Sequence, residues 1–257
     1  MLRGIAIIAA TTMLGGGPAS GDMHYTALGD SFSAGLGAEN YTGTCDRSAH
    51  SFPARWANDY APASFASAAC SGASASSVLK QLTALSSTTT LVSVTVGYDD
   101  AGFGSMVTTC VRDPGTSACL PAVKAVTATV AAQLPAKLNN VLTGIKKTTD
   151  ARVVVLGYPE PFDPAGPLCA GQKSNAGKMA AVNAAVGELD AVIKSATARA
   201  RDVFADPRPL FAGHLLCDDP SWLTFVTLPL TASFHPTPAG QVAYEQAFAQ
   251  DARQQQP

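Results

Sequence analysis

Tyr25-Thr26-Ala27-Leu28-Gly29-Asp30-Ser31-Phe32-Ser33-Ala34-Gly35 is the stretch that decides the fold class. Its first four residues form a short β-prone run, and Gly29-Asp30-Ser31 breaks that run in the manner of a buried strand ending in a turn. Ser31 is therefore expected just past a strand's carboxyl end. Similar β-prone runs recur at residues 64–69, 91–96 and 152–156, and helix-like stretches rich in Ala, Leu and Lys lie between them at 122–145 and 172–199. Such alternation predicts an α/β fold, a three-layer α/β/α sandwich around a central parallel sheet.

Each strand runs into a turn carrying polar or glycine residues: Gly29-Asp30-Ser31, Cys70-Ser71-Gly72, Gly97-Tyr98-Asp99-Asp100 and Gly157-Tyr158-Pro159. In open α/β sheets ligands bind at the carboxyl ends of the strands, so these turns are expected to converge on one crevice. The 257-residue chain is 47% hydrophobic and 14% charged, ample for one buried core and too poor in charge for disorder. With 17 Lys+Arg against 19 Asp+Glu and no run of either sign, it lacks the basic patch of a nucleic-acid binder or an anionic-membrane binder.

Met1-Leu2-Arg3, an apolar stretch over residues 5–14 and the small residues Ala19-Ser20 follow the order of a secretory signal, too short to span a bilayer. The expectation is export: residues 1–20 as signal peptide, 21–252 as one domain and 253–257 as a disordered tail. Six cysteines follow the signal: Cys45, Cys70, Cys110, Cys119, Cys169 and Cys217. An even count in an exported chain, without the close ligand spacings of zinc sites, points to disulfides rather than a metal. The short, Pro- and Gly-containing interval from Cys110 to Cys119 suggests a local staple.

A serine hydroxyl attacks carbonyl carbon only when a base takes its proton, so Ser31 needs a histidine. His24 lies beside the signal, His50 in a polar loop, and His214 reads as a structural or rim residue. His235, in Ser233-Phe234-His235-Pro236-Thr237-Pro238, precedes a proline at a helix entry, where its ring is held on a loop facing a site. Asp30 is expected to shape the turn, and Asp100 to cap the helix it opens.

Together these segments resemble the GDSL, or SGNH, hydrolases. Gly29-Asp30-Ser31-Phe32-Ser33 looks like their first block, Cys70-Ser71-Gly72-Ala73 like the second, Gly97-Tyr98-Asp99-Asp100 like the third and His235-Pro236 like the fifth. The likeness runs in order from about residue 25 to 247, and Cys45-Asp46-Arg47-Ser48 is similar to a segment of the secreted actinobacterial esterase and lipase branch. The resemblance implies a flavodoxin-like sandwich and a secreted enzyme that needs no cofactor or metal. It implies Ser31 as nucleophile, His235 as base, and the N–H groups of Ser31 and Gly72 as oxyanion donors. It also implies cysteine pairing in sequence, 45 with 70, 110 with 119 and 169 with 217. Where many members carry an acid three residues before the histidine this chain has Ala232, whose backbone carbonyl is expected to orient His235 in a Ser-His dyad.

The third block departs from the family. Asp99 stands where members have an Asn that donates to the oxyanion, and an ionised Asp can only accept. Three accounts stay open: a protonated Asp99 that donates, an Asp99 acting as acid or base in different chemistry, and a weakened catalyst. Tyr98 replaces a glycine of the block and is expected to narrow the crevice or touch substrate. The leading expectation is hydrolysis of a small-molecule or lipid ester by a monomer with no membrane-spanning segment. The rivals are acyl transfer or other acid/base chemistry on a specialised metabolite with Asp99 taking part, and ligand binding on a degenerate scaffold.

Overall fold

A computed structural model describes residues 22–113, 115–163, 165, 176–227 and 230–252. The signal expected at 1–20 and the tail at 253–257 lie outside them. Strands β1 (His24–Gly29), β4 (Ser64–Ser67), β5 (Leu91–Thr95), β6 (Arg152–Leu156) and β7 (Val203–Ala205) form one sheet, ordered β4-β1-β5-β6-β7. Every pairing is parallel, with Tyr25 opposite both Phe65 and Leu91, and Leu91 opposite Arg152. Numbered along the chain, these five strands stand 2-1-3-4-5, the doubly wound order whose switch point lies between the first and third. β2 (Tyr41–Thr42) and β3 (Arg47–Ser48) form a separate small hairpin.

The central strands are apolar on both faces because helices cover both. Ala27, Leu28, Val92, Val94 and residues 153–156 are buried, whereas the edge strand β4 is exposed at Ser64, Phe65 and Ala66. One layer holds α2 (Phe52–Tyr60), α8 (Arg208–Phe211) and α9 (Pro238–Ala252). The other holds α3 (Ala75–Gln81), α5 (Phe103–Arg112), α6 (Cys119–Thr148) and α7 (Ala176–Ala200). The three-layer α/β/α architecture read from the sequence is the one observed.

Boundaries moved for local reasons. The helix expected over 122–145 extends to Cys119–Thr148, begun where Asp113 accepts the N–H groups of Ala118 and Cys119. The strand expected over 64–69 stops at Ser67, although Ala68 and Cys70 still donate to the carbonyls of Ala27 and Gly29. The stretch expected to be helical over 172–199 is helical from Ala176 to Ala200, its first residues lying outside the described set. Cys45–Cys70 and Cys110–Cys119 are bonded as the resemblance implied. Cys217 is disulfide-bonded as well, while its expected partner Cys169 lies outside the described residues.

Candidate active site

The turn that leads into Ser31 is built by a glycine that no other residue could replace. Gly29 has φ +127°, and a Cβ there would lie 2.5 Å from the carbonyl oxygen of Thr95 on β5. With the backbone packed so closely, Asp30 N–H donates to that same carbonyl at 3.1 Å. Asp30 caps the four-residue helix α1 (Ser31–Ala34), accepting from Phe32 N–H at 3.0 Å, from the Thr95 hydroxyl at 2.7 Å and from the Tyr158 phenol. It is fully buried, and burial raises its pKa against the lowering effect of those three donors. The carboxyl expected to shape the turn therefore anchors the first turn of α1 from below and does not line the crevice. Tyr158 is itself held by Asp190 on α7, which accepts its backbone N–H at 3.0 Å.

Ser31 Oγ lies 2.7 Å from His235 Nε2, although 204 residues separate them. The other ring nitrogen, Nδ1, is 2.9 Å from the Ser233 carbonyl. A carbonyl only accepts, so Nδ1 carries the proton and Nε2 faces Ser31 as the free base. Burial pushes the His235 pKa down to about 4, opposed by the Ser233 and Ala232 carbonyls. The orienting contact expected from Ala232 thus falls chiefly to Ser233, because the chain turns back through Phe234 at φ +68°. The Ala232 carbonyl accepts the Thr224 hydroxyl, which also receives His235 N–H at 3.2 Å. Thr224 closes the loop further: its N–H donates to the His235 carbonyl at 2.8 Å, and its carbonyl accepts Phe234 N–H at 2.7 Å. No carboxylate contacts the imidazole among the described hydrogen bonds and ion pairs.

Gly72 follows β4 at φ +76°, a conformation that costs glycine little. Its turn is pinned by the Cys45–Cys70 disulfide and by Ser71 N–H donating to the Cys45 carbonyl at 3.1 Å. Among the described residues no acceptor engages the N–H of Gly72, and Ser31 as the first residue of α1 has no intrahelical acceptor for its own. Ser31, Gly72, Tyr98, Asp99, Ser233 and His235 all line one crevice of about 760 Å³. Most of the Tyr98 ring is used in packing, 5.3 Å from Phe32, 5.2 Å from Tyr158 and 5.1 Å from Phe103 between ring centres.

Asp99 and Asp100 sit side by side on α4 (Tyr98–Ala101) and behave oppositely. Asp100, expected to cap its own helix, instead caps α3, accepting Ala75 N–H at 2.7 Å while pairing with Lys137 Nζ at 3.0 Å. The chain enters α4 through Gly97 at φ +123°, and Asp100 on this short helix faces the start of α3. The Asp99 carboxyl has no hydrogen bond or ion pair among the described residues. Although the residue is open to the crevice, partial desolvation and the nearby carboxyls of Asp30 and Asp100 push its pKa up to about 7. The remaining histidines stand apart: His24 bonds Ser64, His50 bonds Asn40, and His214 stacks on Trp222 with ring centres 3.8 Å apart. Among the described residues no group of three His, Cys, Asp or Glu side chains is gathered to hold a metal.

Two structural contributors were not singled out by residue: Tyr158 stood in a turn expected at the crevice, but its bond to Asp30 was not foreseen, and Thr224 lay outside every motif. Residues 27–243 match the GDSL-like Lipase/Acylhydrolase family. The chain is 45% identical over 222 residues to a lipase of Streptomyces rimosus, covering 84% of this chain and 82% of that one. It is 41% identical over 247 residues to Lipase 1 of Streptomyces coelicolor, covering 94% and 90%. The crystal structure of the extracellular lipase of S. rimosus is similar at TM-score 0.84 and 41% identity, over 89% of this chain and 99% of that one. Phospholipase A1 of Streptomyces albidoflavus is similar at TM-score 0.85 and 39% identity, over 90% and 100%.

Proposed function

Since this chain belongs to the GDSL-like lipase/acylhydrolase family and is a carboxylic ester hydrolase, we propose that it works outside the cell through an acyl-serine intermediate on Ser31. The observation that carries the mechanism is the 2.7 Å contact between Ser31 Oγ and His235 Nε2. His235 is neutral above about pH 4, so at neutral pH it accepts the Ser31 proton as Oγ attacks the ester carbonyl. The imidazolium so formed is steadied by the Ser233 and Ala232 carbonyls in place of a carboxylate. It then returns the proton to the departing alcohol, and water repeats the sequence in reverse to free the acid. The N–H groups of Ser31 and Gly72 receive the oxyanion of each tetrahedral intermediate.

Asp99 enters this scheme through its protonation. Below about pH 7 it is a neutral acid, able to donate to the oxyanion; above that pH it is an anion facing developing negative charge. Export is supported by the signal-like residues 1–20 and by the disulfides. Among the described residues no helix is long and apolar enough to cross a membrane. Hydrolysis of p-nitrophenyl butyrate by wild type, Ser31→Ala and His235→Ala tests the scheme. Both variants are expected to lose about 10⁴-fold or more in kcat while staying folded. Retention of wild-type turnover by Ser31→Ala would remove the acyl-serine step.

A further inference from the structure

A second cavity of about 360 Å³ opens beside the crevice, and Asp99 lines both. Its other walls are Ser74 and Ser76 with Leu79 at the start and side of α3, Asp100 on α4, and Lys137 and Asn140 on α6. These groups divide by whether their bonding capacity is already used. Asp100 is engaged by Ala75 N–H, and the cavity's single cation, Lys137, is paired with it at 3.0 Å. Ser74 Oγ is 2.9 Å from Ser76 Oγ and 3.5 Å from Ser77 Oγ, so these hydroxyls bond one another and keep lone pairs to spare. The Asn140 amide and the Asp99 carboxyl have no partner among the described residues.

What such a lining would take follows from its chemistry. An acyl chain would leave the amide, hydroxyl and carboxyl groups unsatisfied, at a cost for each. An anionic head group would meet two carboxyls and a lysine already neutralised. A polyhydroxylated alcohol suits it: its O–H groups donate to Asp99 and to the serine oxygens, its own oxygens accept from Asn140, and exposed Leu79 meets its C–H face. The geometry points to this cavity as the seat of the alcohol half of the substrate, a glycerol or sugar unit whose ester carbonyl reaches Ser31 across Asp99. The inference rests on Ser31 being the acylated nucleophile: the acyl C–O bond breaks, the polyol oxygen takes the proton from His235, and the acyl group stays on Ser31. It also gives Asp99 a task, since a charged acceptor binds a hydroxyl more strongly than a neutral amide oxygen does.

The test compares kcat/KM at pH 8, where Asp99 is ionised, for glyceryl monobutyrate, 6-O-butyryl glucose and ethyl butyrate in wild type, Asn140→Ala and Asp99→Asn. Taking the ratio of polyol ester to ethyl ester divides out general damage to the catalytic groups. Wild type is expected to favour at least one polyol ester, the better of the two telling glycerol from sugar. Each substitution is expected to cut that preference about 2- to 10-fold, the size of one hydrogen bond. Asn140 is exposed on α6, where alanine favours the helix, so this variant folds. A wild-type ratio near one for both polyol esters, or an undiminished ratio in both variants, overturns the inference while leaving ester hydrolysis standing. Absence of turnover for all three esters in folded wild type overturns the hydrolase mechanism, and this inference with it.

Discussion

Asp99 is the residue whose chemistry departs most from an ordinary ester hydrolase, and its behaviour is legible in pH. The kcat/KM of wild type for p-nitrophenyl butyrate is expected to rise as His235 loses its proton near pH 4 and to fall as Asp99 ionises near pH 7. Asp99→Asn should keep the acid limb, lose the alkaline one and exceed wild type at pH 8 by up to about 10-fold, because an amide donates at every pH whereas about a tenth of Asp99 is still the neutral acid there. An alkaline limb that persists in Asp99→Asn would assign that titration to another group. Thr224 offers a second residue-level test. Thr224→Val removes the hydroxyl between Ala232 and His235, so kcat should drop about 10-fold with little change in KM, and Thr224→Ser should restore it.

The same residues show where the sequence could be read and where it could not. Ser31, Gly72 and Asp99 stand in short blocks at strand ends and His235 at a helix entry; the strand-end turns pointed to a shared crevice, and the family resemblance pointed to their roles. Tyr158 stands in such a turn as well, but its partner could not be found that way. It reaches Asp30 across 128 positions, through a strand order that only the folded sheet reveals. The shift from Ala232 to Ser233 as the chief orienting carbonyl follows from a positive φ at Phe234, a conformation that a Phe gives no hint of adopting. Asp100 caps α3 rather than its own helix because nothing local tells that α3 begins against it.

Among elements, the turn after β4 matters most, because it presents Gly72 to the site with only three backbone bonds nearby to hold it. The Cys45–Cys70 disulfide ties that turn to the hairpin of β2 and β3, closing a separation of 25 residues. Chain-entropy arguments assign a loop of that size about 3.5 kcal/mol. Cys45→Ala/Cys70→Ala should therefore lower stability by roughly that much in denaturant titration, and should reduce kcat more than KM as Gly72 loses its fixed direction. An unchanged kcat in the folded double variant would show that the N–H of Gly72 is held without the bridge. Strand content and helix layers were legible from the alternation of apolar runs, whereas helix ends were not. The start of α6 depends on Asp113, six residues before Cys119, whose side chain the pattern of apolar residues does not register.

At the scale of the whole molecule, the 2-1-3-4-5 strand order explains why segments so distant in sequence meet. β1 and β5 lie side by side at the switch point, so Ser31 and Asp99 leave the sheet into the same crevice, and α9 returns the chain with His235 at its entrance. Reaction of the folded protein with a fluorophosphonate, read by intact mass and peptide mapping, tests the central claim most directly. One adduct on Ser31, absent in Ser31→Ala and strongly slowed in His235→Ala, is the predicted result; a folded wild type that acquires no adduct, or acquires it elsewhere, would contradict it.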